Sequence, residues 1–297
     1  NNYLYFHGIP LKQLIEEYET PMRITYLPKI SENIQRAKKY FNDAIRKLNY
    51  PGNYNYCYCT KSSHFAHVLV EALKNDIYLE TSSAFDIDII ERLYLNKMLN
   101  KDTLIVCNGF KTKIYTQRIS KLANLDFNIM PVLDNMEELE AYENTIIYDC
   151  DLGIRIASEE QPEFQLYTSR LGIRYKEIKD FYLNKIKPNP KFKLKMLHFF
   201  INSGIKDNIY YWNELSKLLK VYVELKRVCP ELDSLNIGGG WPFRSSLGFE
   251  YDYAYMAEEI LNKIKQTCEE ENVSCPNIFT EFGSFTVAES GAFIFSV

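Results

Sequence analysis

No stretch of this 297-residue chain approaches the ~20 uninterrupted apolar residues that a membrane-spanning helix needs. Basic excess is missing too. Lys+Arg 35 against Asp+Glu 39 leaves a net charge of −4, and the acidic balance removes the electrostatic footprint of a nucleic-acid binder. No GxGxxG follows the first strand-like run, which weighs against a dinucleotide fold. Metal-ligand spacing is absent: Cys57-x-Cys59 and His64-x-x-His67 match none of the usual zinc patterns, and strand alternation explains the cysteine pair more simply. The opening residues carry no basic segment ahead of an apolar run, so no secretory signal is read. The seven cysteines are an odd number and scattered, which fits reduced thiols in a cytoplasmic protein better than a disulfide framework. The chain starts without Met and stops inside an apolar run at Ile294-Phe295-Ser296-Val297, so a cut at both ends is expected.

What is present is a globular composition, 46% hydrophobic and 25% charged, which argues against disorder. Short strand-like runs alternate with longer amphipathic ones. Strands are expected at residues 22–27, 54–60, 77–81, 103–107, 128–133, 146–157, 195–201, 234–237 and 278–281. Helices are expected at residues 10–18, 30–48, 65–74, 85–95, 111–122, 136–143, 212–228 and 253–271. Strand and helix in turn is the mark of βα units and a parallel sheet. So many units in one chain predict a closed (β/α)8 barrel, preceded by a leader and entry helix over residues 1–21 and filling residues 22–297. Chemistry in such a barrel sits where strands end and βα loops begin.

Four strand ends stand out. Tyr58-Cys59-Thr60-Lys61 puts Lys61 on the face of Asn55, Cys57 and Cys59, aimed at the barrel mouth. A lysine partly desolvated there is expected to have a lowered pKa and to form a Schiff base. The plainer alternative is a solvated lysine opening a helix. Gly238-Gly239-Gly240 follows a strand directly, where backbone N–H groups approach a phosphate unobstructed. An ordinary tight turn is the alternative. Glu281 ends the last strand and suits a cationic ring nitrogen, a structural acid or a general base. His198 shares a face with Met196, Phe200 and Asn202, and in so apolar a strand it reads as a satisfied core residue.

The order of these features resembles the fold-type III pyridoxal-phosphate decarboxylases, the alanine-racemase-like barrels that include ornithine, diaminopimelate and arginine decarboxylases. The resemblance runs from Pro10 onward. Tyr58-Cys59-Thr60-Lys61 is similar to the family's Tyr-x-x-Lys, and Leu79-Glu80-Thr81-Ser82-Ser83 to the segment near the pyridine ring. Gly153-Ile154-Arg155-Ile156 and Ser169-Arg170-Leu171-Gly172-Ile173 resemble two further signatures. The resemblance implies pyridoxal 5'-phosphate as cofactor, Lys61 as its attachment point, Glu80 near the ring, Arg155 and Phe200 among the cofactor-binding residues, and Gly238, Gly239, Gly240 and Ser203 at the phosphate. It implies Glu281 at the ring nitrogen, where the barrel racemases carry Arg, and hence decarboxylation over racemisation. Two positions depart from the pattern. Phe200 stands where the family's ring-stacking His stands, with Asn202 for a Gly, and Ser284 stands where an Arg contacts the phosphate.

Glu80, LHFFINSG and TEFG together resemble the arginine-decarboxylase branch most. That implies conversion of arginine to agmatine in polyamine and spermidine biosynthesis. Ornithine, lysine or diaminopimelate as substrate, a non-catalytic cofactor carrier and a regulatory homologue are the alternatives. The resemblance leads us to expect that the family's C-terminal β domain is missing from this chain. It carries most of the substrate recognition and a partner-donated Cys, so the barrel alone is expected to turn over weakly at best. The intact protein is expected to be a homodimer.

Overall fold

In the computed structural model, residues 4–158, 171–201, 203–246 and 248–296 are described. A small antiparallel pair, β1 (Tyr5–Phe6) and β2 (Ile9–Pro10), leads into α1 (Leu11–Tyr18). Next come β3 (Met22–Thr25) and the long helix α2 (Leu27–Leu48), whose second residue is Pro28 and whose C-cap is the left-handed Asn49. Strand and helix then alternate: β4 (Tyr54–Cys59), α3 (Ala66–Leu73), β5 (Tyr78–Thr81), α4 (Ala84–Leu95), β6 (Ile105–Cys107), α5 (Lys113–Asn124), β7 (Ile129–Leu133) and α6 (Glu138–Glu143). The second half runs β8 (Cys150–Arg155), α7 (Tyr175–Phe181), β9 (Phe192–His198), α8 (Ile209–Lys226), β10 (Ser234–Asn236), α9 (Tyr253–Glu270), β11 (Asn277–Glu281), α10 (Ser284–Val287) and β12 (Gly291–Ile294).

Strands β4 to β11 close into one parallel barrel, with β11 pairing β4. The expected (β/α)8 fold is therefore observed, but its first strand is β4. The run at residues 22–27 was expected to open the barrel; instead β3 lies outside and pairs antiparallel with β12. A parallel barrel strand is covered on both faces, and no residue of β3 is buried. The expectation also left residues 158–194 without an element, whereas α7 continues into a π-helical turn over Tyr182–Ile186. Ile178, Phe181, Tyr182 and Ile186 bury one side of that helix at helical spacing. Strand β9 starts earlier than expected and ends at His198, so Phe200 lies past the strand.

The apolar residues form two cores. Cys57, Leu104, Val106, Met130, Val132, Met196 and Phe279 fill the barrel interior, and a larger cluster fills the space between strands and helices. Among the described residues, no helix is long and apolar enough to cross a membrane.

Candidate active site

Side chains alternate across a strand, so the residue two places beyond an interior position faces inward again. Seven barrel strands use that step at their C-terminal ends to replace an inner residue with a polar one. Tyr78 is followed by Glu80, Val106 by Asn108, Val132 by Asp134 and Gly153 by Arg155. Met196 is followed by His198, Ser234 by Asn236 and Phe279 by Glu281. Strand register aligns Arg155 with His198 and His198 with Asn236, and it sets Cys59 beside Glu80 and Cys57 beside Glu281. Of these polar groups, Asn108, Arg155, His198 and Glu281 line a cavity of about 530 Å³ at the barrel mouth.

Lys61 lines that cavity from a single 3-10 turn, Thr60–Ser62, at the end of β4. Its Nζ lies 3.5 Å from Oε2 of Glu80, a side chain with no exposure. The lysine pKa moves opposite to expectation. Burial is the largest single influence and pulls it down, but Glu80, Cys59 and Glu281 together outweigh burial and raise it above the ordinary value. Glu80 is itself raised, chiefly by burial, with Lys61 opposing and Glu281 adding to the rise. Glu80 is not part of the cavity surface; it stands behind Lys61.

Glu281 is the more elaborately held acid. Asn108 Nδ2 donates to its Oε1 at 2.6 Å and Asn236 Nδ2 donates to the same oxygen at 2.5 Å. His198 Nε2 stands 3.4 Å from Oε2. Burial alone would raise the carboxyl, but the imidazole, then Lys61 and the Asn108 amide, bring it down to about 2. Asn108 also donates to Glu80 Oε1 at 3.3 Å, so one amide bridges the two acids.

The glycine run is tied to the same group. Gly238 N donates to Asn236 Oδ1 at 2.9 Å. Gly240, at φ +84°, has room only for a hydrogen: a Cβ there would meet Gly204 Cα at 2.7 Å. Gly239 and Gly240 line the cavity, and among the described residues their N–H groups find no acceptor. Gly238 is buried beneath them and Ser203 is exposed outside the cavity wall. Phe200 lines the cavity with Arg155, whose guanidinium carbon is 5.7 Å from the Phe200 ring centroid. Asp134 Oδ1 lies 3.8 Å from Arg155, and Asp134 Oδ2 lies 3.7 Å from the buried Lys111. Ser284 also faces the cavity. Ser169, Arg170 and Asn202 lie outside the described residues.

The structure thus gathers Lys61, Arg155, Phe200, Gly239, Gly240 and Glu281 around one space, with Glu80 and Gly238 just behind it and Ser203 apart. His198, expected as a satisfied core residue, is buried but unsatisfied, since neither ring nitrogen has a hydrogen-bond partner among the described residues. It belongs to the site, as do Asn108, Asn236 and Asp134, which the sequence reading missed. Each carried a readable signal, a polar residue two places after an interior apolar or small one at a strand end.

The model of the pyridoxal-dependent decarboxylase pyridoxal binding domain matches residues 28–288. The biosynthetic arginine decarboxylase of Citrifermentans bemidjiense is 26% identical over 98% of this chain and 49% of its own length. The chain therefore spans about half the length of the curated relatives it matches. Among solved structures, the biosynthetic arginine decarboxylase of Campylobacter jejuni superposes with a TM-score of 0.79 at 22% identity, covering 97% of this chain and 50% of that one. A diaminopimelate decarboxylase of M. jannaschii in co-complex with L-lysine gives a TM-score of 0.83 at 18% identity, covering 99% of this chain and 67% of that one. At such identities these two likenesses speak for the fold.

Proposed function

The chain belongs to the family of pyridoxal-dependent decarboxylase pyridoxal binding domains, and from that premise we propose that it is the cofactor-holding barrel of an arginine decarboxylase. The observation that carries the reading is the convergence of Lys61 and Glu281 on one cavity at the mouth of the barrel. The residues present fit pyridoxal 5'-phosphate. Lys61 offers a primary amine for attachment. Glu281 offers an anionic oxygen, Oε2, for a protonated ring nitrogen, because its Oε1 is already engaged by two amides. Phe200 offers an apolar face. Gly239 and Gly240, beside Gly238, offer free N–H groups to a phosphate, and Ser284 offers a hydroxyl on the same cavity wall, whereas Ser203 lies outside it.

When bound, the cofactor supplies an electron sink for the pair left behind as carbon dioxide departs. The chain's own residues do the rest. Lys61 must lose a proton to attach, and Glu80 Oε2, 3.5 Å from Nζ and raised in proton affinity by burial, is the acceptor in place. The Glu281 carboxylate would pair with the protonated ring nitrogen, and Asn108 and Asn236 hold Glu281 in place for it. Asp134 braces Arg155, which lies against Phe200.

Arginine as substrate rests on the names of the relatives and on Glu80. Residues 22–297 make up the cofactor unit and residues 1–21 its leader. The intact protein pairs into a homodimer, acts in polyamine synthesis and works in the cytoplasm, where seven unpaired cysteines, six of them buried, would stay reduced. Phe200 and Ser284 favour one second reading, a homologue that holds the cofactor without turnover. Incubation with pyridoxal phosphate, borohydride reduction and peptide mapping should fix the cofactor on Lys61, and Lys61→Ala should abolish capture. Protein that captures nothing refutes both readings. Carbon dioxide release from labelled arginine by the full-length protein then separates enzyme from holder.

A further inference from the structure

His198 is a costly residue in its present place. Its side chain is 2% exposed, and neither ring nitrogen has a hydrogen-bond partner among the described residues. Buried polar groups are nearly always partnered, so an unpartnered imidazole calls for a reason. Its surroundings supply one. Strand register seats it between Arg155 and Asn236, and Met196 below it closes the barrel interior. Arg155 turns to Asp134 and Phe200, and Asn236 is used at both ends, its amide on Glu281 and its carbonyl oxygen on Gly238 N. What remains for His198 is Glu281 Oε2, 3.4 Å from Nε2.

The two oxygens of Glu281 are therefore unequal. Oε1 receives two amide donors, whereas among the described residues Oε2 has the imidazole at longer range and keeps capacity for a ligand. Phe200 sharpens the point, since no imidazole stands at the family's stacking position. Among the described residues lining the cavity, His198 is the sole imidazole.

We propose that His198 is a positioning residue that keeps Glu281 an anion with Oε2 facing the cavity, so that a proton shared with the cofactor's ring nitrogen stays on the ring. The inference rests on the cofactor reading above and adds a residue to it. A shared proton settles on the partner with the greater affinity for it. Burial would make Glu281 that partner, and the imidazole is the foremost influence opposing burial. Without His198 the proton moves to the carboxyl, and the ring loses the charge that makes it an electron sink.

The test uses the whole chain loaded with pyridoxal phosphate labelled with 15N at the ring nitrogen. Wild-type protein should show the resonance at the pyridinium position. His198→Leu should move it toward unprotonated pyridine, and His198→Gln, which restores an N–H donor near the Nε2 position, should bring it back. A loaded His198→Leu protein with an unshifted resonance overturns the inference and leaves the cofactor reading intact. Wild-type protein that takes up no cofactor overturns both. If His198→Leu fails to fold, as judged by melting, the isosteric Glu281→Gln decides in unloaded protein. The ring 15N resonances of His198 should then shift, and unchanged resonances overturn the pairing.

Discussion

Glu80 and Glu281 are the same side chain given opposite environments. Glu80 has a single 3.3 Å amide contact and a lysine at 3.5 Å, and burial dominates. Glu281 has two close amide donors and an imidazole, and its carboxyl sits near 2. An unfolded glutamate titrates near ~4.3, so ionised Glu281 stabilises the fold fully above that value, and its contribution is lost as pH falls toward about 2. Replacing Glu281 by Gln keeps the shape and removes the titration. Acid unfolding followed by circular dichroism should accordingly lose part of its slope between about pH 4.3 and 2 in that variant. Ser284 supplies a second residue-scale prediction. A guanidinium at that cavity position adds a charge-assisted hydrogen bond to a phosphate, worth about 1.5–3 kcal/mol. Ser284→Arg should therefore tighten cofactor binding by about tenfold or more in a spectrophotometric titration. Unchanged affinity would mean that the glycine N–H groups already saturate the phosphate.

At the scale of elements, the loops after β9 and β10 are locked to each other. Gly204, at φ +79°, faces Gly240, and Ile205 N donates to Gly240 O at 3.1 Å. Gly204→Ala forces a Cβ into the Gly240 backbone at a dihedral that L residues resist. The expected result is a lower melting temperature together with weaker cofactor capture, because the displaced loop carries the free N–H groups. Helix α8, which follows, is started by Asn208, whose Oδ1 accepts from Tyr211 N at 2.8 Å. Asn208→Ala should cost about 1 kcal/mol of stability in urea unfolding without altering capture. These elements also mark what the sequence made readable. The barrel followed from alternating periods, and Lys61, Glu281 and the glycines followed from their places at strand ends. Strand β3 misled because MRIT has strand composition, while the missing burial of its faces is a tertiary fact. Helix α7 escaped because its apolar positions sit among Lys, Glu and Asp in a short segment. His198 escaped because an apolar strand gives no hint that a carboxylate from β11, two strands away around the barrel, will stand 3.4 Å away.

Across the whole molecule, the site and the closure of the chain are separate structures. The residues around the cavity come from β4 to β11 and the loops that follow them, and β3 and β12 contribute none. The outer pair instead ties the beginning of the chain to its end: Tyr26 N donates to Ser290 O at 2.6 Å, and His7 Nε2 lies 2.7 Å from Glu289 O. One further link belongs to the barrel itself. Asn33 of α2 donates to Thr286 O and Ala288 O at 3.2 and 2.9 Å, holding the segment that carries Ser284 and Phe285 over the cavity. Removing residues 1–26 takes away the partner of β12 but spares Asn33 and every barrel strand. The truncated protein should melt at a lower temperature and still be labelled at Lys61 by cofactor and borohydride, with an affinity close to that of the longer chain. Asn33→Ala should do the reverse, weakening capture more than the loss of two buried hydrogen bonds lowers stability, since it frees α10 from α2. Loss of capture in the truncated protein with none in Asn33→Ala would show that the outer sheet, and not the Asn33 link, sets the position of the last barrel loop.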